Sequence, residues 1–194
     1  MTRDTLYEER KIRGRKGVHT LSLLVENKPG VLARIAGMFA RRSFNIESLA
    51  VGPTEDERIS RMTIVVKVEA KPLEHIMRQV DKLVNVIHVE ELPHEHSVER
   101  ELLLVKVNAE PGARSQILEI ADIFRSKIVD VAPDALSLEA TGTPDKLQAL
   151  IDILRPYGIR EVVRTGLISL ARGRHTIHEA YLSLVEGEGE EETA

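Results

Sequence analysis

The stretch Glu26-Asn-Lys-Pro-Gly-Val-Leu-Ala-Arg-Ile35 marks the point where a strand pattern changes into a helix pattern. Before it, residues 18–25 alternate apolar and polar positions, which is typical of a strand with one buried face. After it, apolar residues of 31–39 recur at helical spacing. Pro29 and Gly30 end the strand, and we predict that Pro29 opens the helix, because proline is favoured at a first helical position.

The alternation of strands and helices continues as far as Leu92. Strands are predicted over 45–51, from Ile59 to Val68 and over 86–92, and a second helix is predicted to open at Pro72. The order βαββαβ therefore covers residues 18–92, preceded by a charged extension, 1–17.

The same βαββαβ order is predicted a second time after a linker, 93–98. Glu110-Pro-Gly112 stands where Lys28-Pro-Gly30 stands in the first copy. We therefore predict an α+β fold with two ferredoxin-like βαββαβ domains, over 18–92 and 99–173. The tail, 174–194, ends in an acidic run that we expect to be disordered. The second copy's predicted strands are 101–107, 127–131, 135–140 and 159–165, and Thr143-Pro-Asp145 is predicted to cap its second helix.

Composition removes several classes of function. The 194 residues include no cysteine, which excludes disulfides and thiol nucleophiles, and carry a net charge of −4, which gives no general attraction to nucleic acid. The strand 61–67 lacks the aromatics with which RNA-recognition modules stack bases. No apolar run is long enough to span a bilayer, and no secretory signal opens the chain, so we expect a cytoplasmic protein that uses neither membrane nor nucleic acid. Leu24 and Val65 place apolar side chains on the face of the predicted sheet that the helices do not cover. Because pairing between protomers would bury them, we expect at least a homodimer.

A search for chemistry finds no phosphate loop, no dinucleotide motif, no zinc-protease motif and no nucleophile elbow. We predict no catalytic residue and no metal site. The pairs His94/His96 and His175/His178 would need further ligands to hold zinc, and solvated side chains explain them better. An enzyme with an unfamiliar site stays an alternative.

One junction has a physical reason to bind a small molecule. Asn27 precedes a helix N-terminus, whose free N–H groups and partial positive charge suit a carboxylate. Gly30 has no side chain to block the backbone, and the amide of Asn27 can accept from an ammonium group. These properties match the head group of an α-amino acid. The residues alone favour an Asx turn or helix cap at Asn27 over a ligand site.

The residues also resemble a known family. Glu26–Ile35 is similar to the opening of an ACT domain, and Arg42-Ser-Phe-Asn-Ile-Glu-Ser-Leu49 resembles the small regulatory subunit of acetolactate synthase (acetohydroxyacid synthase). The resemblance continues through Thr141-Gly-Thr-Pro-Asp-Lys-Leu147 and covers residues 20–173.

This resemblance implies a regulatory subunit that activates a large catalytic partner in branched-chain amino acid biosynthesis and confers allosteric feedback inhibition, usually by valine. The partner would carry thiamine diphosphate, Mg²⁺ and FAD, and this chain no cofactor. The effector would lie between the ACT domains of a dimer. A stand-alone amino-acid-binding regulator acting on another target stays an alternative. The implied effector-binding residues are Asn27, Gly30, Val31 and Leu32 of one protomer, facing Asn45 and Ile46 of the other.

Overall fold

The computed structural model describes residues 17–179, except for the side chains of residues 70 and 71. The chain divides into two compact units. The first contains the residues up to Ser97 together with those from Leu170 onward, and the second is Val98–Ser169. Residues 170–173, which the sequence pattern placed at the end of the second domain, thus group with the first unit. The predictions for the N-terminal extension and for the acidic end of the tail concern residues 1–16 and 180–194, which lie outside the described residues.

The first unit has the predicted βαββαβ order. Its four strands form one antiparallel sheet in the order β2-β3-β1-β4, which confirms the α+β class. Its elements are β1 (Val18–Glu26), α1 (Val31–Arg41), β2 (Ile46–Pro53), β3 (Ile59–Lys67), α2 (Ala70–Asp81) and β4 (Val86–Glu91).

Alternation along the strands sends one set of side chains towards the two helices. The apolar stripe of α1 packs on this set, because residues three and four apart share a helix face. The core of the unit therefore lies between the sheet and the helices, and it includes Leu21, Leu23, Val25, Ile35, Met38, Phe39, Met62, Ile64, Val66, Ile76 and Val80.

The other face of this sheet is also buried within the chain. Leu24 is 3% exposed and Val65 is 8% exposed. Our reason for expecting a dimer from these two residues is therefore wrong, because a single chain already removes them from solvent.

The second unit repeats the order in a sheet arranged β6-β7-β5-β8, with β9 paired to β5. The predicted linker is more ordered than expected: it contains a 3₁₀ turn, His94–His96, and β5 already begins at Ser97. The elements are β5 (Ser97–Asn108), α3 (Pro111–Ile123), β6 (Lys127–Val131), β7 (Ala135–Gly142), α4 (Pro144–Leu154), a 3₁₀ turn (Arg155–Tyr157), β8 (Ile159–Arg164) and β9 (Ile168–Ala171).

Helix starts depart from the predictions at two places. Pro29 does not open α1, which begins at Val31 after a left-handed Gly30. Pro72 lies inside α2, two residues after its start. Thr143 is the N-cap of α4 as predicted, but its side chain makes no capping hydrogen bond. None of the helices within 17–179 combines the length and the apolarity that crossing a bilayer requires.

Candidate functional site

The turn between β1 and α1 ends in an open helix N-terminus. Gly30 adopts φ 85°, which glycine tolerates without steric cost, and α1 starts at the next residue. Among the described residues no side chain caps this helix, and its first turn contains no acid. A Cβ at Gly30 would meet no atom within 4 Å, so the space at this position is free. Of the first-turn N–H groups, that of Val31 donates to the Lys28 carbonyl at 3.4 Å.

Asn27 is fixed beside this opening by two hydrogen bonds to the loop between β2 and β3. Its backbone N–H donates to the carbonyl of Arg58 at 2.7 Å. Its side-chain Nδ2 donates to the carbonyl of Glu57 at 2.8 Å. The amide is thereby oriented, and its Oδ1 remains a potential acceptor for a ligand.

The β2–β3 loop, residues 54–58, is itself braced by a charged pair. Asp56 accepts three hydrogen bonds from the Arg58 guanidinium, at 2.9 Å and 3.1 Å from Nε and at 2.6 Å from Nη2, and one from the Arg58 backbone N–H at 2.9 Å. The Arg58 side chain is the main cause that lowers the pKa of Asp56 to about 2. The β2–β3 loop is therefore structured, and it positions Asn27.

A second acid at the turn is already partnered. Glu26 accepts from Lys28 Nζ at 2.8 Å and from the side-chain amide of Asn85. These two donors, Lys28 first, lower its pKa. Arg34 Nη1 in turn donates to Asn85 Oδ1 at 2.6 Å. Glu26 is therefore committed to holding the turn together and is not the natural counter-ion for a ligand ammonium group.

The predicted site residues split into two groups within one chain. Residues 25 and 60 pair near the turn, whereas residues 19 and 66 pair six residues further along the same strands. Ile46 pairs with Val66 at that far end. At the usual rise per strand residue this is a separation of about 20 Å. A single chain therefore does not bring Asn45 and Ile46 to the Asn27 turn.

The side chains of the predicted site residues are not equally exposed to a ligand. Val31 is buried in the core, so only its backbone faces the helix end, whereas Leu32 is 40% exposed. At the far end Asn45 is exposed and donates to Glu47 Oε1 at 2.8 Å, while Ile46 packs against the core.

Comparisons with known proteins match both units to one family. A family model described as "AHAS small subunit-like ACT domain" matches residues 21–88, and one described as "Small subunit of acetolactate synthase" matches residues 100–173. The acetolactate synthase small subunit of Mycolicibacterium smegmatis is 56% identical over 162 residues, which are 84% of this chain and 95% of that one. The chain belongs to the acetolactate synthase small-subunit family.

Relatives from distant organisms give the same result. The probable acetolactate synthase small subunit of Archaeoglobus fulgidus is 54% identical over 155 residues, covering 80% of this chain and 97% of that one. The crystal structure of the small subunit from Thermotoga maritima superposes with a TM-score of 0.76 at 39% identity, covering 81% of this chain and 99% of that one. This chain is therefore a regulatory small subunit of acetolactate synthase, and its first unit is an ACT domain.

Several residues of the turn in this small subunit escaped the sequence analysis. Glu57 and Arg58 act through backbone carbonyls, which leave no mark on residue type. Asn85 and Arg34 lie 51 positions apart, and no local pattern links them. The regular spacing of Thr54 and Asp56 with Arg58 was the one available sign that the loop is braced.

His175 departs from the prediction of a merely solvated side chain, because its Nε2 lies 2.8 Å from Glu90 Oε2. A further histidine, His19, has its Nδ1 2.7 Å from Glu91 Oε1. His175 precedes the helical residues, which begin at Ile177. Within 17–179, no three His, Asp or Glu side chains converge in a way that could hold a metal ion.

Proposed function

We propose that this small subunit binds valine, or a closely related branched-chain amino acid, at the β1–α1 turn of its ACT domain. The observation that carries the proposal is the open N-terminus of α1 beside a pre-oriented Asn27. The first-turn N–H groups suit the ligand carboxylate, and Asn27 Oδ1 suits its ammonium group.

The proposed site is completed by a second copy of the chain. Asn45 and Ile46 lie at the opposite end of the sheet from Asn27, so the partner protomer has to supply them. Ile46 offers the apolar contact that an aliphatic side chain needs, next to the half-exposed Leu32 of the first protomer. A head group held by backbone and Asn27 and a side chain held across the interface would make binding depend on the dimer.

The regulated partner in this proposal is the large subunit of acetolactate synthase, which carries thiamine diphosphate, Mg²⁺ and FAD. The small subunit performs no chemistry and works in the cytoplasm. An effector between two protomers changes activity only if it binds two arrangements of the dimer with different affinity. Valine would favour the arrangement that activates the large subunit less.

The test compares Gly30→Asp with Gly112→Asp in complexes reconstituted from small and large subunits. Aspartate at position 30 would extend into the free space and oppose the ligand carboxylate, and aspartate tolerates left-handed backbone better than most residues. We expect Gly30→Asp to weaken valine inhibition at least tenfold, about 1.4 kcal/mol, while activation persists.

Gly112→Asp is the matched control. Position 112 lies in the first turn of α3, where an acid is favourable and where a Cβ meets nothing within 4 Å. Unchanged inhibition in both variants would refute the site. Failure to co-purify with the large subunit would support a stand-alone regulator instead, and pyruvate turnover by the purified chain alone would show an enzyme.

A further inference from the structure

The side chain of Asn85, in the loop between α2 and β4, binds both sides of the β1–α1 turn. Its Nδ2 donates to Glu26 Oε2, and its Oδ1 accepts from Arg34 Nη1 at 2.6 Å. Its backbone carbonyl also accepts from the Glu26 N–H at 2.9 Å. Glu26 is the last residue of β1, and Arg34 lies in the first turn of α1. One residue therefore holds the strand end and the helix start together, with residues 27–30 between them.

Asn85 is itself held by the core of the first unit. The α2–β4 loop closes in a turn, in which the Val86 N–H donates to the Leu83 carbonyl at 2.8 Å. Leu83 and Val86 both pack against the core, and Asn85 is half-buried. The amide thus projects from a fixed base, which a side chain needs if it is to position a binding site.

An amide suits this position because the side chain has to donate to an acid and accept from a base. The Glu26 carboxylate offers only acceptors, and the Arg34 guanidinium offers only donors. Aspartate at position 85 would have no donor for Glu26, and lysine would have no acceptor for Arg34. The residue type therefore follows from the two partners that it joins, and exchanging the amide and the acid makes this dependence testable.

The second unit holds the equivalent turn without such a link. The position that corresponds to Asn85 is a glycine, Gly158, whose carbonyl accepts from the Asn108 N–H at 2.9 Å. The backbone bond is thus repeated, but the side chain is missing. At the strand end, Asn108 Oδ1 accepts from Arg160 Nε. At the helix start, Gln116 Oε1 accepts from the hydroxyl of another residue, Tyr157, at 3.1 Å.

We propose that Asn85 is a positioning residue for the amino-acid head group, because it fixes the spacing between the Asn27 amide and the N-terminus of α1. This role rests on the proposed function, in which Asn27 Oδ1 accepts from the ligand ammonium group and the helix N-terminus binds its carboxylate. Both groups are attached to one carbon of the ligand, so the two halves of the site have to stand at a matching distance. A spacing that is set before binding raises affinity because less ordering remains to be done.

A double-mutant cycle on the full-length small subunit tests this role, with the valine Kd measured by calorimetry. Asn85→Asp would set two carboxylates against each other, and we expect the Kd to rise about fivefold or more. Glu26→Gln loses the exposed pair with Lys28 but keeps an acceptor for Asn85, so the Kd should stay within about threefold. In the combined variant the glutamine amide can donate to the aspartate, which still accepts from Arg34. The Kd should then return to within about twofold of that of the unaltered chain.

Tyr157→Phe is the matched control in the second unit. It removes the hydrogen bond to Gln116 and should leave the Kd within about twofold. An unchanged Kd in Asn85→Asp, or a rise that Glu26→Gln does not reverse, would overturn the positioning role and leave the site itself standing.

Asn85→Gly keeps the test decisive where Asn85→Asp does not fold. It copies the residue of the second unit and adds no charge, and we expect it to raise the Kd about fivefold. An unchanged Kd in this variant would also overturn the positioning role. Absence of valine, leucine and isoleucine binding by the unaltered chain would instead contradict the proposed function, and the positioning role with it.

Discussion

The two units build the same strand-to-helix turn, with matching backbone bonds. In the first, the Asn27 N–H donates to the Arg58 carbonyl at 2.7 Å. In the second, the Ala109 N–H donates to the Asp134 carbonyl at 2.9 Å. In both, a loop between two strands holds the residue that lies two positions before a Pro-Gly pair. The backbone scaffold is therefore duplicated, and a difference in ligand binding has to come from side chains and from the helix start.

The side chains at the two turns differ. Asn27 presents an amide at the surface, whereas Ala109 is fully buried. Arg114 Nη2 donates to the carbonyls of Ala132 at 2.7 Å and Pro133 at 2.8 Å, and less closely to that of Ala109 at 3.3 Å. The position that corresponds to Arg114 in the first unit is Leu32, which makes no such bonds. The comparison teaches that an arginine side chain binds the supporting loop in the second turn, whereas the side-chain amide of Asn27 does so in the first.

The largest expected effect concerns this arginine. Arg114→Ala would remove charge-assisted hydrogen bonds to three partly buried or exposed carbonyls and a half-buried side chain, which we expect to cost about 2 kcal/mol of unfolding free energy. The equivalent change, Leu32→Ala, removes a half-exposed side chain and should cost about 1 kcal/mol or less. Urea denaturation of both variants measures the difference, and equal losses would show that Arg114 does not secure the second turn.

A smaller effect is expected for Asn27→Ala, measured as valine affinity. The substitution removes the proposed acceptor for the ammonium group and the bond to the Glu57 carbonyl, so we expect the Kd to rise about tenfold, or about 1.4 kcal/mol. Glu110→Ala, an exposed change in the second turn, is the control and should leave the Kd within about twofold. An unchanged Kd in Asn27→Ala would mean that backbone groups alone bind the head group.

The repeated βαββαβ order was predictable because strand alternation and helical spacing are local properties of a sequence. The two Pro-Gly pairs show where local information ends. Pro111 opens α3, whereas Pro29 lies before α1 and Gly30 takes a left-handed conformation. The same dipeptide thus has two outcomes, which residue type alone does not distinguish. The error at Pro29 matters, because the shifted start leaves no proline in the first turn of α1, so every residue there carries a backbone N–H.

Helix ends carried a similar ambiguity. Ser43 and Arg125 follow the first helix of each unit with φ 57° and 51°, although glycine is the usual residue there.

Of the candidate site, Asn27 and Gly30 could be chosen from residue type. The role of the β2–β3 loop could not, since it acts through carbonyls contributed from 30 positions away. The pair His175–Glu90 spans 85 positions and leaves no local pattern either.

The smallest effect that we predict is the response of the two supporting loops to acid. Asp56 in the first unit and Asp134 in the second each accept hydrogen bonds from an arginine, Arg58 and Arg160 respectively. These arginines are the main cause that lowers both pKa values, that of Asp56 to about 2. A depressed folded-state pKa stabilises a fold above the ordinary pKa of the group, and this stabilisation is lost as the pH falls through the folded value.

For Asp56 the pH window therefore runs from the ordinary value of 3.8 down to about 2. Carboxyl titration by NMR should show both aspartates below their ordinary pKa, and Arg58→Gln should return Asp56 alone towards 3.8. Both pairs are exposed, so about 1 M salt should weaken both shifts, since it shortens the screening length to about 3 Å. A normal Asp56 pKa in the intact chain would mean that the loop is not braced by Arg58. Asn27 would then lack the fixed support that separates an oriented amide from an ordinary surface asparagine.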